Sequence, residues 1–255
     1  MNSETYKALL SADDPPPVRI YNPAGQSSFL VLGDHAGNAV PARLETLGLG
    51  AADLARHIGW DIGIAGLGPL LAKALDAVFI HQAYSRLVVD CNRDPAAPDA
   101  MAEASDGTPV PANHQLTAEA RAARVAAIHA PYQAAIAAEL ARRDAAGMAT
   151  ILVSLHSFTP ALAGVARPWE IGILHAGGAD AFALRLLAQL REDESLVVGD
   201  NQPYRMDSTD HTIPRHAFAP PRAYAEIEIR QDLLADLAGW AHWATVLTRA
   251  LLAAA

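Results

Sequence analysis

A single cysteine, Cys91, occurs in the 255-residue chain. No intrachain disulfide can form, and the expected setting is a reducing cytoplasm. Basic charge is scarce: 19 Lys and Arg stand against 28 Asp and Glu, for a net charge of −9. Scattered cations of this kind do not make the positive field that a nucleic-acid binder needs, which excludes that class of partner. Long apolar runs are missing too. The nearest, Ile58 to Leu75, is broken by Trp60, Asp61, Gly63, Pro69 and Lys73, so no membrane span is expected. Met1 to Pro17 is polar, ends in three prolines and has no apolar h-region. It is expected to be a flexible arm or an edge wrap rather than a secretory signal.

What the chain does have is apolar bulk. At 51% hydrophobic it can bury one sizeable core, and no linker divides it, so residues 18–255 are read as a single α/β domain. Short apolar runs read as buried strands at Ser28 to Gly33, Val78 to Ile80, Arg86 to Asp90, Thr150 to Leu155, Glu170 to Leu174 and Leu196 to Val198, and Tyr224 to Ile229 alternates as another. Helical spacing marks Leu54 to Leu75, Leu116 to Ala146 with a break near Pro131, Gly178 to Leu190 and Leu233 to Leu252. Asp94 to Asn113 and Arg205 to Pro221 read as long loops over a site. Strands alternating with helices predict a mixed, mostly parallel central sheet with helices on both faces. In such folds ligands gather at the C-terminal ends of the strands.

Polar residues fall where that rule places a site. His35, in Gly33-Asp34-His35-Ala36-Gly37-Asn38, follows a buried strand, and its small neighbours would let a metal or substrate approach the backbone. His156, in Ser154-Leu155-His156-Ser157, follows another. Each alone is compatible with a turn or a satisfied core histidine. Together they resemble a catalytic zinc site, which uses two or three imidazoles, often one carboxylate, and an open position for water. Asp61, Asp34 and Asp90 are candidates for that carboxylate. An unpaired Asp61 in an apolar helical stretch would be costly, and His57 lies one turn earlier on the same face as a partner or alternative ligand. Arg86 and Arg93 bracket Asp90-Cys91-Asn92 and could clamp an acidic small-molecule substrate, or pair with Asp90 and Asp94. Alternation puts Glu226, Glu228 and Arg230 on one face of a strand, where a carboxylate could shuttle a proton.

The segments GDHAGNAVP, HIGWDIG, YSRLVVDCNRD, SDGTPVPAN, SLHSFTP, RPWEIGIL, GDNQPY and IEIRQDL, in this order from about Phe29 to Trp243, resemble the N-formylglutamate amidohydrolase family, distant relatives of zinc carboxypeptidases and aspartoacylases. The resemblance implies a phosphorylase/hydrolase-like α/β fold and hydrolysis of N-formyl-L-glutamate, or a similar N-acyl amino acid, with one zinc ion. It assigns His35 and His156 to the metal, Glu228 to general base, Arg86 to the scissile carbonyl, and Asn92 and Arg93 to a substrate carboxylate. Arg230 and Tyr204 are added as further substrate contacts. Relatives take a metal ligand from a Glu shortly after the first histidine. Ala36-Gly37-Asn38 has no acid, so the role passes to Asp61. Hydrolysis of another small amide, or non-catalytic binding of an acidic metabolite through the arginines, are the alternatives.

Overall fold

The computed structural model describes residues 8–255. Seven strands form the main sheet: β1 (Val18–Tyr21), β2 (Phe29–Gly33), β3 (Val78–Gln82), β4 (Ile151–Phe158), β5 (Ile171–Leu174), β6 (Val198–Asp200) and β7 (Ala223–Arg230). Their spatial order is β1-β3-β2-β4-β7-β5-β6. The pairings β2–β3, β2–β4, β4–β7 and β5–β6 are parallel, and β1–β3 and β5–β7 are antiparallel. This is the mixed, mostly parallel sheet that the strand and helix alternation predicts.

Alternation along the strands sends apolar side chains to both faces, and helices cover each face. Phe29, Val31, Val153, Leu155, Ala225 and Ile227 face one core, closed by α2 (Ile64–Leu75), α5 (Ala181–Arg191) and α7 (Leu237–Ala254). Trp243 is buried in that core and Trp240 packs at its border. Leu30, Leu32, Leu152 and Tyr224 face the other core, covered by α4 (Ala130–Ala145), which α3 (Ala118–Arg124) leads into, and by the short α6 (Thr212–Ala217). Between α3 and α4 the chain makes one π-helical turn, Val125–His129, just ahead of Pro131. Proline has no N–H to donate, and the wider turn absorbs it without ending the helix.

On the second face the strands change character toward their C-terminal ends. Leu152 is followed on its side by Ser154 and His156, and Tyr224 by Glu226 and Glu228. Glu228 is register partner of His156 and Glu226 of Ser154. Apolar residues thus build the floor and polar ones the rim.

Three readings of local structure are corrected. Leu54 to Leu75 is not one helix: a single turn at Ala51–Leu54 (α1) is separated from α2 by turns through Gly59 and Gly63. Gly63 has φ +90, and a Cβ there would lie 2.4 Å from that of Leu234. His57 and Asp61 therefore do not share a helix face. Arg86 to Asp90 is a buried turn, not a strand, with the Arg86 N–H donating to the Gly59 carbonyl at 3.0 Å and that of Val88 to Ser85 at 2.9 Å. Leu87, Val88 and Val89 are buried, and an apolar run buried on all sides has no period that separates strand from turn. The loop from Arg205 to Pro221 contains α6. Among residues 8–17, Pro15 accepts from the Tyr84 hydroxyl at 2.6 Å and Asp14 from the Ala42 N–H at 2.9 Å. The rest of the expected arm, residues 1–7, lies outside the described residues.

Candidate metal centre and cleft

Three elements bring the centre together. His35 sits just past β2, His156 near the end of β4, and Asp61 in the turn before α2. The Asp61 N–H donates to the His35 carbonyl at 2.9 Å, which locks the turn to the end of β2. One ligand atom from each of His35, Asp61 and His156 falls within 4.8 Å of the others, and all three residues are buried. Asp61 Oδ2 lies 2.9 Å from His156 Nδ1 and 3.5 Å from His35 Nδ1. The two rings stand 5.0 Å apart, centroid to centroid.

The far side of each imidazole is held by a different acid. His35 Nε2 lies 2.7 Å from Asp90 Oδ1. His156 Nε2 lies 3.0 Å from the Ser154 hydroxyl and 3.4 Å from Asp34 Oδ2. A carboxylate on Nε2 keeps the proton there and leaves Nδ1 as the lone-pair donor, the arrangement of metal-binding histidines. His35 Nδ1 is buried with no hydrogen-bond partner. Asp34 and Asp90, two of the three candidate carboxylates, thus orient the imidazoles while Asp61 faces the shared space.

Charge agrees with this reading. Burial opposes ionisation of Asp61, but the nearby His35 imidazole and the hydrogen bond with His156 hold its carboxyl well below the usual range. Burial also opposes ionisation of Asp90, and Arg86, followed by His35, reverses it. Asp34 is lowered against its burial, chiefly by His156. Three buried carboxylates and one Arg86 guanidinium, which lies against Asp90 and Asp61, leave two negative charges when the imidazoles are neutral. Buried charge of that kind needs a counter-charge, and a divalent cation held by His35, His156 and Asp61 would supply it. The donor set therefore fits a metal ion.

A cavity of about 310 Å³ opens beside the cluster. Arg86 lines it, with Nε and Nη2 donating to Asp90 Oδ2 at 3.0 and 2.7 Å and Nη1 3.7 Å from Asp61. Glu228 and Glu226 face the cavity from β7, each with a buried oxygen that has no hydrogen-bond partner. Burial, above all, pushes both carboxyls up to about 8. Arg93 lines the cavity and pairs with Asp99 at 3.1 Å. Tyr204 lines it too, its hydroxyl accepting from Arg167 at 3.0 Å.

A family model for N-formylglutamate amidohydrolase matches residues 27–235. The chain belongs to the N-formylglutamate amidohydrolase family. A gene product of Agrobacterium tumefaciens is 35% identical and superposes with a TM-score of 0.93, covering 96% of this chain and 97% of its own. An N-formylglutamate amidohydrolase from Ralstonia eutropha, 18% identical, shares the fold with a TM-score of 0.72, covering 93% and 96% of the two chains. No curated protein matches the chain.

In this member of the N-formylglutamate amidohydrolase family, one predicted contact is in the cavity wall but already engaged, and another lies outside it. Asn92 lines the cavity, but its amide is occupied: Oδ1 accepts from the N–H groups of His211 and Thr212, and Nδ2 donates to Asp210. Arg230 is not among the lining residues; it pairs with Asp232 at 2.8 Å and donates to the Pro168 carbonyl. His57 is in the cavity wall, 3.4 Å from Asp106, rather than beside Asp61 on a helix. The small residues after His35 serve a different neighbour from the one anticipated. Gly37 lets the Ala83 backbone approach, and Ala39 N–H donates to the Ala83 carbonyl at 3.1 Å. Sequence reading missed Arg205, Asp207, Thr209 and Asp210, which line the cavity from the loop before α6. That stretch has no apolar period to anchor it. Its only signal was its density of polar residues. Among the described residues no helix is long and apolar enough to cross a membrane.

Proposed function

We propose that this protein is a zinc-dependent hydrolase of N-formyl-L-glutamate, releasing formate and L-glutamate. The observation that carries the reading is the convergence of His35 Nδ1, His156 Nδ1 and Asp61 beside the buried carboxyl of Glu228. Zinc held by the first three would supply Lewis acidity, making a water more acidic and drawing electron density from the amide carbonyl. Glu228 takes the proton from the attacking water. A carboxyl that burial holds near 8 can both accept and return a proton close to neutral pH. As the new C–O bond forms, charge builds on the carbonyl oxygen, and Arg86, held in place by Asp90, offers Nη1 from the cavity wall to stabilise it. The C–N bond then breaks and Glu228 returns its proton to the leaving nitrogen. Arg93, with Tyr204, grips the acidic end of the substrate, and the exposed Arg205 adds a second cation there.

A second cavity of about 480 Å³ shares His57, Arg86, Arg93 and Tyr204 with the first. It favours, as a second reading, a substrate with a larger acyl group or side chain. Purified protein should carry zinc and turn over N-formyl-L-glutamate faster than other N-formyl and N-acetyl amino acids. A zinc-loaded enzyme that prefers an N-acetyl substrate would select the second reading. A protein that binds zinc and hydrolyses none of the panel would end both.

A further inference from the structure

Behind His156 a chain of buried hydrogen bonds runs away from the cavity. Ser154 Oγ donates to Asp34 Oδ2 at 3.0 Å. The hydroxyl of Thr212, the first residue of α6, donates to Asp34 Oδ1 at 2.5 Å. Gln133 Nε2, from α4, donates to that same hydroxyl at 3.1 Å and to the Cys91 carbonyl at 2.9 Å. Gln133 Oε1 lies 2.7 Å from His216 Nε2, one turn along α6. Asp34, Ser154 and Thr212 are essentially inaccessible, so no water competes for these bonds.

Each link has one sensible polarity. The amide of Gln133 donates to the Thr212 oxygen, and the Thr212 proton goes to Asp34 Oδ1 at 2.5 Å, a closer and more basic acceptor than the Cys91 carbonyl at 3.3 Å. Among the described residues Thr212 is the one hydrogen-bond donor to Asp34 Oδ1, and Ser154 donates to Oδ2. With both oxygens pinned, the carboxylate fixes the Ser154 hydroxyl, whose oxygen accepts from the Nε2–H of His156 at 3.0 Å, with Asp34 Oδ2 itself 3.4 Å from that nitrogen. That fixes the tautomer with the Nδ1 lone pair toward Asp61.

We propose that Thr212 is a positioning residue for the metal centre: its hydroxyl holds Asp34, and Asp34, together with the Ser154 hydroxyl it orients, holds His156 in the ligating tautomer. The inference rests on the zinc reading above. It also gives the loop before α6 a second task. Arg205, Asp207, Thr209 and Asp210 line the cavity and lead directly into Thr212, so seating this loop and presenting His156 are one event.

The test is zinc affinity, measured by chelator competition on the full-length protein, with His156→Ala as the control for a lost ligand. Thr212→Val keeps the shape and removes the hydroxyl; its zinc dissociation constant should rise about 10-fold to 100-fold, the usual cost of losing a partner behind a ligand. Thr212→Ser should restore affinity to near the wild-type value. Imidazole nitrogen NMR of the zinc-loaded protein should show the His156 Nε2–H exchanging faster with water in the valine variant alone. Thr212→Ala, which adds no atoms, carries the same expectation should the valine variant fold poorly. Wild-type zinc affinity in a folded Thr212→Val or Thr212→Ala protein would overturn the role. Wild-type protein that binds no zinc would remove the underlying reading as well, so the two failures are distinguishable.

Discussion

Asp61 Oδ2 lies 2.9 Å from His156 Nδ1 across 95 residues of sequence. No local propensity produces that contact. It follows from β2 and β4 being adjacent in the sheet and from the turn before α2 being bonded to the end of β2. Three donors so placed should fail together. His156→Ala and Asp61→Ala should each reduce bound zinc from about one ion per chain to background, read by elemental analysis. Retention of the metal in either variant would remove that residue from the centre.

Glu228 touches the same site with a different expected phenotype. Glu228→Gln preserves volume and removes the proton acceptor. It should keep its zinc and lose turnover by about 100-fold or more, with little change in thermal stability. Full activity in a zinc-loaded Glu228→Gln protein would exclude Glu228 as the base.

How far the sequence revealed this site depended on the kind of signal. His35 and His156 were legible because each follows a buried apolar run whose end is set by the fold class. Glu228 was legible because a period of two placed it on a defined face. Asp61 was correctly paired with the histidines, yet on the wrong element: Leu54 to Leu75 has helical spacing, and only Gly63 at φ +90 against Leu234 shows why the helix starts late. Arg86 to Asp90 was misread because its buried side chains are apolar in any conformation. The supporting roles of Asp34 and Thr212 were invisible, since they depend on contacts 120 and 178 residues apart. Arg205 was missed because nothing local distinguishes a cavity-lining arginine from a solvated one.

Gly37 supplies a test of the loop that presents His35. A Cβ at this position would lie 2.1 Å from the carbonyl carbon and oxygen of Ala83. Neither partner is a flexible side-chain tip, so backbone must move. Gly37→Ala should cost about 1–3 kcal/mol as overpacking. For a domain of this size that lowers Tm by about 2–12 °C. A melting temperature equal to wild type in metal-free protein would show that the loop does not pass Ala83 this closely.

His216 predicts an acid limit that does not depend on the metal ligands themselves. Burial, then the Arg215 charge, pushes its imidazole down to about 4 from an ordinary 6.5. The folded value is depressed, so the group's contribution to stability is complete above pH 6.5. As pH falls from 6.5 toward 4 the unfolded chain takes up a proton that the folded chain refuses, and stability drops. The full span corresponds to something on the order of 3 kcal/mol. His216→Gln has no such proton to take up and can keep a donor to Gln133 Oε1. Between pH 7 and 4.5 it should lose about 2 kcal/mol less than wild type in urea unfolding, whatever its stability at pH 7. Parallel stability curves for the two proteins would mean that His216 is protonated as readily in the fold as in the unfolded chain.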